Sequence, residues 1–172
     1  NSNQPYLIFL HEGLGCIDMW KEFPSELCCA TGCPGLIFDR KGFGISSSST
    51  SHRTIHYLHD SALNELHVLI KELIPDEYFI LIGHSDGGSI ALILAAERIK
   101  KLKGVITEAA HIFVEQQTIY GIEQAKIAYE SGRLAKLSKY HSSKTDDVFK
   151  NWAQIWLSPE FIHWNIEYLL PS

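Results

Sequence analysis

Four short apolar runs constrain the fold of this chain more than any other feature of its sequence. They lie at residues 6–10, 35–38, 78–82 and 104–107. Stretches that suit helices separate the runs, and several runs end in Gly or a charged residue. Continuous apolar strands that alternate with helices are typical of a parallel sheet with helices on its faces. The sequence therefore predicts an α/β fold with three α/β/α layers.

Three helices are predicted between these strands, at residues 19–30, 55–73 and 89–101. In the second, apolar residues recur at spacings of three and four, which is typical of an amphipathic helix. The longest apolar run, residues 90–96, predicts a buried helix. It is far shorter than the roughly 18–20 residues that a membrane span needs.

The alternation stops at about residue 112, and residues 112–170 are predicted to be helical throughout. Ser158 and Pro159 favour the start of a last helix there, since Ser is a good N-cap and Pro suits the first helical turn. The predicted division is a partial core at residues 1–111 and a helical cap at residues 112–172.

Composition excludes several classes of function. The formal net charge is -5, from 20 acidic and 15 basic residues, which makes a nucleic-acid partner improbable on charge grounds. No membrane partner, metal or organic cofactor is predicted, because no motif for one is present. The four cysteines form no Cys-x-x-Cys pair and are interpreted as reduced thiols, which favours a cytoplasmic protein.

The strongest chemical signal is Gly83-His84-Ser85-Asp86-Gly87, a Gly-x-Ser-x-Gly pattern. It lies between an apolar strand and an apolar helix, the context of a nucleophile elbow. Ser85 is therefore the predicted catalytic nucleophile. The alternative is an ordinary strand-to-helix turn in which the serine caps the helix.

A second signal follows the first strand, in the loop at residues 11–15. An oxyanion hole needs two backbone N–H groups that point at one position. We predict that Gly13 and Asp86 supply them. The alternative for the loop is a generic glycine turn.

Several other side chains near these motifs are open to two interpretations. The Asp86 carboxylate either binds a cationic group of the substrate or is an acid favoured in the first turn of a helix. His11 and His84 are predicted to pack in the interior. The histidines at residues 52–67 fit no familiar metal-ligand spacing and are interpreted as a solvated helix face.

Three motifs together resemble the α/β-hydrolase superfamily, in the order in which that family carries them. They lie at residues 10–15, 38–46 and 83–88. The helical stretch at 112–170 resembles the cap of such proteins. The resemblance implies a serine hydrolase that cleaves a small-molecule carboxylic ester through an acyl-enzyme, without a cofactor.

Within the superfamily, the Ser-Asp-Gly-Gly at residues 85–88 is similar to the valacyclovir hydrolase (biphenyl hydrolase-like) branch. This finer resemblance implies that Asp86 binds the α-amino group of an amino-acid ester. Glu12, which stands where most relatives have Gly, His111 and Trp152 are expected at the substrate. For the cap tryptophans, packing in the cap core is the alternative role.

The family pattern also implies a catalytic acid and a histidine after the cap. Both are expected beyond residue 172, so the chain is interpreted as a fragment of a longer protein. Glu108 is the one candidate acid before the cap. Aminopeptidase, C–C bond hydrolase and thioesterase activities remain open, as do ligand binding without catalysis and a homodimer.

Overall fold

The computed structural model describes residues 4–49 and 52–170. Its centre is a parallel sheet of four strands in the order β2-β1-β3-β4. The strands are β1 Tyr6–Leu10, β2 Gly35–Ile37, β3 Phe79–His84 and β4 Leu102–Glu108. The predicted parallel α/β sheet is confirmed, and β1 has the bounds that the sequence predicted.

Helices connect the strands and make up most of the segment at 112–170 that was predicted to be a cap, which keeps that name below. They are α1 Phe23–Thr31, α2 Tyr57–Asp60, α3 His67–Leu73, α4 Asp86–Ala96, α5 Gln116–Glu130, α6 Ser138–His141 and α7 Thr145–Trp156. A π-helical segment, Ser61–Leu66, joins α2 to α3. The helix predicted at 55–73 therefore begins two residues later, at Tyr57, is continuous to Leu73 and is not α-helical throughout.

Alternating side chains of the strands build two apolar clusters, one on each face of the sheet. Leu7 and Phe9 of β1 lie in the smaller cluster, which Leu27 of α1 helps to cover. Ile8 and Leu10 lie in the larger cluster, with residues of α2, α3 and α4. Because successive strand residues point to opposite faces, the single strand β1 is buried on both sides. The three predicted layers are confirmed.

The first helix begins later than predicted. A 3₁₀ turn, Ile17–Trp20, precedes it, and α1 starts only at Phe23. Pro24 explains the start, since proline is tolerated in the first helical turn but not further inside. Gly32 ends the helix in a left-handed conformation, with φ 69°.

The helix after the predicted nucleophile also differs from the prediction of 89–101. It begins directly after Ser85 and ends at Ala96. Arg98 has a positive φ of 51°, which is incompatible with a continuing right-handed helix. The Lys101 carbonyl then accepts a hydrogen bond from Phe79 N–H at 3.0 Å, so the chain has already reached the sheet.

The cap is helical for most of its length but not throughout, which corrects the prediction for 112–170. Phe113 and Asn165 form an antiparallel bridge, and Ile166 N–H donates to the Ile112 carbonyl at 2.7 Å. These bonds hold the chain extended there. The helix predicted from Ser158 is therefore replaced by two 3₁₀ turns, Phe161–His163 and Glu167–Leu169. In the described part of the chain, no helix has the length and apolarity that crossing a membrane requires.

Long side chains attach the cap to the core. His141 is fully buried and accepts a hydrogen bond from Gly44 N–H at 3.1 Å. Its other ring nitrogen donates to the Leu14 carbonyl at 2.9 Å. Lys144 donates to the Phe43 carbonyl at 3.1 Å. Cap residues thus fix two core loops, one of which carries Gly13.

Candidate active site

Glycines at both ends of the Gly-x-Ser-x-Gly turn allow backbone to pass against backbone. A Cβ on Gly83 would lie 2.3 Å from the Gly87 carbonyl oxygen. A Cβ on Gly87 would lie 1.9 Å from the Leu10 carbonyl oxygen. Neither contact is possible for a real side chain, so the turn can close only with glycine at both positions.

Ser85 occupies the strained position of this turn. Its backbone has φ 51° and ψ -118°, and its N–H donates to the Glu108 carbonyl at 2.8 Å. The residue is half-buried at the junction of β3 and α4. None of the hydrogen bonds among the described residues involves its hydroxyl. The order of strand, strained serine and helix is the one that a nucleophile elbow requires.

The loop predicted to complete the oxyanion hole is contacted on its core side (below) by Arg40 and on its cap side (above) by Trp152. Below it, buried Arg40 donates to the carbonyls of His11 at 3.1 Å and Glu12 at 2.9 Å. Above it, Trp152 lies so close to Gly13 that a Cβ there would be 2.5 Å from the indole ring. The cap tryptophan therefore contacts the loop at the residue predicted to bind the oxyanion.

His11 is buried, as predicted. Its Nε2 accepts from Arg40 N–H at 3.2 Å, and Nδ1 lies 2.9 Å from the Glu12 carbonyl. Burial, followed by the neighbouring Arg40 charge, holds the pKa of His11 well below its usual range. The ring is therefore a neutral structural group under the loop.

His84 does not pack in the interior, and that prediction is wrong. Its side chain is 38% exposed, and Nδ1 lies 3.5 Å from Oε2 of Glu12. His84 is the last residue of β3 and directly precedes Ser85. Its side chain therefore lies at the carboxyl end of that strand. The Glu12 carboxylate therefore has a partner in the residue that precedes Ser85.

Asp86 lies in a buried polar cluster. Its side chain is 1% exposed, and Oδ2 accepts a hydrogen bond from the Tyr57 hydroxyl at 3.0 Å. Trp156 of the cap donates to that same hydroxyl at 2.8 Å. Arg53 Nη1 lies 3.9 Å from Oδ2. Asp86 thus links the turn at Ser85 to the cap and to a cation.

Electrostatics in this cluster follow from burial. The pKa of Tyr57 is well above its ordinary value because the phenol is buried and, next, because it faces the Asp86 carboxylate. Desolvation lowers the pKa of Arg40, although Asp86 opposes that shift. The Tyr57 phenol is therefore protonated at neutral pH and donates its hydrogen bond to Asp86.

The cluster contains residues that the sequence did not single out. Tyr57 lies beside the apolar stripe of the helix predicted at 55–73 but was not counted in it, and Arg53 lies in a polar loop. The Arg40 of the motif at 38–46 was noted only as part of the resemblance. These residues meet through contacts between distant parts of the chain. Trp156 and Tyr57, for example, are 99 positions apart, and no local sequence pattern encodes such a contact.

Other predicted residues lie around the turn at Ser85. His111 is half-buried and its ring stands 5.0 Å from the Trp156 ring, while burial lowers its pKa. Glu108 is exposed, and it is its carbonyl that binds the Ser85 N–H. Trp156 and Trp164 are buried in the cap core, with Trp164 stacked on Phe161 at 5.4 Å.

Metal chemistry finds no support in the described residues. Across 4–49 and 52–170, no group of three or more His, Cys, Asp or Glu side chains is arranged to hold an ion. The rings of His56 and His59 stand 6.5 Å apart without a third ligand. All four cysteines are free thiols.

Curated relatives with matching sequences are 2-succinyl-6-hydroxy-2,4-cyclohexadiene-1-carboxylate synthases. The one from Klebsiella pneumoniae (strain 342) is 27% identical over 155 residues, which is 89% of this chain and 55% of the relative. The one from Salmonella typhimurium is 26% identical over 152 residues, 87% of this chain and 54% of the relative. The chain thus spans about half the length of these relatives. They do not support the finer resemblance to valacyclovir hydrolases.

Solved structures share the fold. One, from work on carboxylesterases of the thaumarchaeon Nitrososphaera gargenis, has a TM-score of 0.73 at 17% identity and covers 99% of this chain and 69% of that one. The monoacylglycerol lipase of Paleococcus ferrophilus has a TM-score of 0.54 at 23% identity and covers 73% and 48%. A profile described as the alpha/beta hydrolase fold matches residues 5–158. With that match over most of its length, the chain belongs to the alpha/beta hydrolase fold family.

Proposed function

We propose that the whole protein is a serine hydrolase that cleaves a carboxylic ester through an acyl-enzyme on Ser85. The observation that carries the proposal is the Ser85 backbone, held at φ 51° and ψ -118° between a parallel strand and a helix. Such a conformation costs about 1–3 kcal/mol and persists only where the surroundings impose it. In this family, the strained turn is the device that presents a nucleophilic hydroxyl.

In the proposed reaction, Ser85 Oγ bonds to the ester carbonyl carbon and its proton passes to a base. The carbonyl electrons move onto oxygen, where the N–H groups of Gly13 and Asp86 stabilise the charge. When the tetrahedral intermediate collapses, the alcohol leaves with the proton from the base. A water molecule then repeats the sequence and releases the acid.

The base is the part of this mechanism that the described residues do not supply. No histidine or carboxylate at positions 4–49 or 52–170 hydrogen-bonds to the Ser85 hydroxyl, and Glu108 meets the turn only through its carbonyl. The histidine and acid of a triad stay predicted for residues after 172. Hydrolysis is therefore a proposal about the whole protein.

The acyl group that the site prefers is a finer question. Asp86 supports an α-amino-acid ester in one respect, because its Oδ1 is buried and finds no hydrogen-bond donor in the described part of the chain. A substrate ammonium would satisfy it. Against this, Arg53 already stands 3.9 Å from the other carboxylate oxygen. The α-amino preference remains a prediction.

The experiment is a panel of simple esters assayed with the full-length protein and its Ser85→Ala variant. We expect the variant to lose hydrolysis by a factor of about 10³ or more, as nucleophile removal does in serine hydrolases. Ser25→Ala, at an exposed helical serine, is the matched control and keeps the wild-type rate. Unchanged hydrolysis in Ser85→Ala would contradict the assignment. Ligand binding without turnover in wild type would favour the non-catalytic alternative.

A further inference from the structure

A cleft of about 320 Å³ lies beside the buried cluster, between residues 40–49 and 52–54, the helix α2 with its π-helical continuation, and the cap. Ser85 does not line it. Tyr57 and Arg53 do, and both also contact Asp86, the residue that follows Ser85. Those two side chains therefore lie where the cleft meets the residue that follows Ser85.

Arg53 is held at the side of the cleft by stacking on two rings and lacks a full set of hydrogen bonds among the described residues. Its guanidinium carbon lies 5.0 Å from the ring centroids of both Phe43 and Tyr57. Its Nη1 is buried, and no acceptor within hydrogen-bond distance is found for it among residues 4–49 and 52–170. That Nη1 faces Asp86 Oδ2 at 3.9 Å, so the other N–H groups of the guanidinium, which lines the cleft, have hydrogen-bonding capacity left for an anionic ligand.

The charges of the cleft point the same way. Its inner part contains three cations, Arg40, Arg53 and Lys144, of which Arg40 and Lys144 donate to neutral backbone carbonyls. Among residues 4–49 and 52–170, Asp86 is the one carboxylate within 4 Å of a cation of this group. The acids that line the cleft are exposed at its rim, where solvent and salt screen them: Asp60, Glu65 and Asp147.

We propose that this cleft binds the carboxylate at the far end of a substrate's acyl chain, with Arg53 as the residue that holds it. The proposal rests on the proposed ester hydrolysis at Ser85. A guanidinium matches a carboxylate in shape and charge, since its paired N–H groups bind both oxygens. The preferred substrates are then monoesters of dicarboxylic acids, and Arg53 is a specificity residue.

The test compares esters that differ in the charge at the end of the acyl chain. Monoethyl succinate is paired with ethyl butyrate, and monoethyl adipate with ethyl hexanoate. In the full-length protein we expect kcat/KM to favour the charged member of at least one pair by about tenfold, the size of one charge-assisted hydrogen bond. Arg53→Gln brings that ratio close to one, whereas Arg133→Gln, an exposed arginine of the cap, leaves it intact.

Three outcomes would overturn the proposal. They are a preference for the uncharged member of both pairs, a ratio that Arg53→Gln does not change, and a preference for ethyl 2-aminobutyrate over all monoesters. The last would favour the α-amino prediction at Asp86. Where Arg53→Gln fails to fold, Arg53→Lys keeps the charge, loses the paired geometry and is expected to lower the ratio partly.

A binding measurement separates this proposal from the proposed hydrolysis. Adipate is titrated by calorimetry into the full-length protein, its Ser85→Ala variant and its Arg53→Gln variant. We expect saturable binding in wild type and Ser85→Ala and its loss in Arg53→Gln. Absence of binding in wild type overturns the carboxylate site. Absence of ester hydrolysis with binding retained overturns only the hydrolase proposal.

Discussion

The turn at Ser85 and the helical cap differ in what holds them in place. At the turn, backbone lies against backbone, and a Cβ on Gly87 would stand 1.9 Å from the Leu10 carbonyl oxygen. In the cap, Gly121 of α5 has nothing within 4 Å of such a Cβ. The cap depends instead on long side chains such as Trp156 and His141, which reach core residues about a hundred positions away. The turn therefore depends on glycines at fixed positions, whereas the cap depends on contacts between long side chains and the core.

The largest effect is expected where a methyl group is added to the turn. Gly87→Ala should destabilise the protein by about 3 kcal/mol or more, because the backbone of β1 cannot move away without disrupting the sheet. The matched change Gly121→Ala should stabilise it by about 0.5–1 kcal/mol, since alanine is the better helix former. Denaturant unfolding measures both. Equal effects of the two substitutions would contradict the comparison.

A smaller effect is expected where one cap contact is removed without a change of shape. Tyr57→Phe leaves both Trp156 Nε1 and Asp86 Oδ2 without the hydroxyl that joins them. Each buried group left unpaired costs about 1–3 kcal/mol. Because Arg53 stays 3.9 Å from Asp86 Oδ2, we expect the lower part of the summed range, a loss of about 2–4 kcal/mol. Tyr120→Phe removes a hydroxyl from an exposed tyrosine and serves as the control. A loss no greater than that of the control would show that the link contributes nothing.

The smallest effect is the pH dependence of the unfolding free energy that His11, a residue of the core, is expected to cause. His11 is buried and its pKa is well below the unfolded value of 6.5. As the pH falls, the unfolded chain therefore binds a proton at His11 before the folded protein does. The resulting stabilisation of the folded state is complete above pH 6.5 and is lost as the pH falls below it. The limiting slope is about 1.4 kcal/mol per pH unit. The lowered pKa values of His59 and His111 act in the same direction.

The pH effect is measured as unfolding free energy between pH 7.5 and pH 5, in wild type and His11→Asn. The substitution also removes the acceptor for Arg40 N–H, so the slope rather than the absolute stability carries the result. We expect a shallower slope in His11→Asn than in the control His163→Asn, at an exposed cap histidine. Parallel slopes would show that His11 stays accessible to protons.

The same difference explains what the sequence could predict. The turn at 83–87 and the strand β1 are visible because they depend on residue types at fixed, local positions. The parallel sheet follows from apolar runs for the same reason. In contrast, the last cap helix was wrongly predicted, because the pairing of residues 112–114 with 164–166 joins distant parts of the chain.

In the candidate site, too, the residues set by local motifs were predicted and those set by distant contacts were not. Ser85 and the loop with Gly13 were predicted from their motifs, and the structure brings both to the carboxyl edge of neighbouring strands. The surroundings of Asp86 were not predicted, because a single sequence does not show which cation and which phenol lie beside a carboxylate. The exposed position of His84 was missed for a related reason, since its partner Glu12 lies on another strand's loop.

The central claim is that the turn presents Ser85 as a nucleophile. The most direct measurement is covalent labelling of the full-length protein with a fluorophosphonate, followed by peptide mass spectrometry. We predict a single adduct, on Ser85, that forms in the Arg133→Gln control and is absent from Ser85→Ala. Labelling of another residue, or ester hydrolysis by a protein that Ser85 labelling does not inhibit, would contradict the claim.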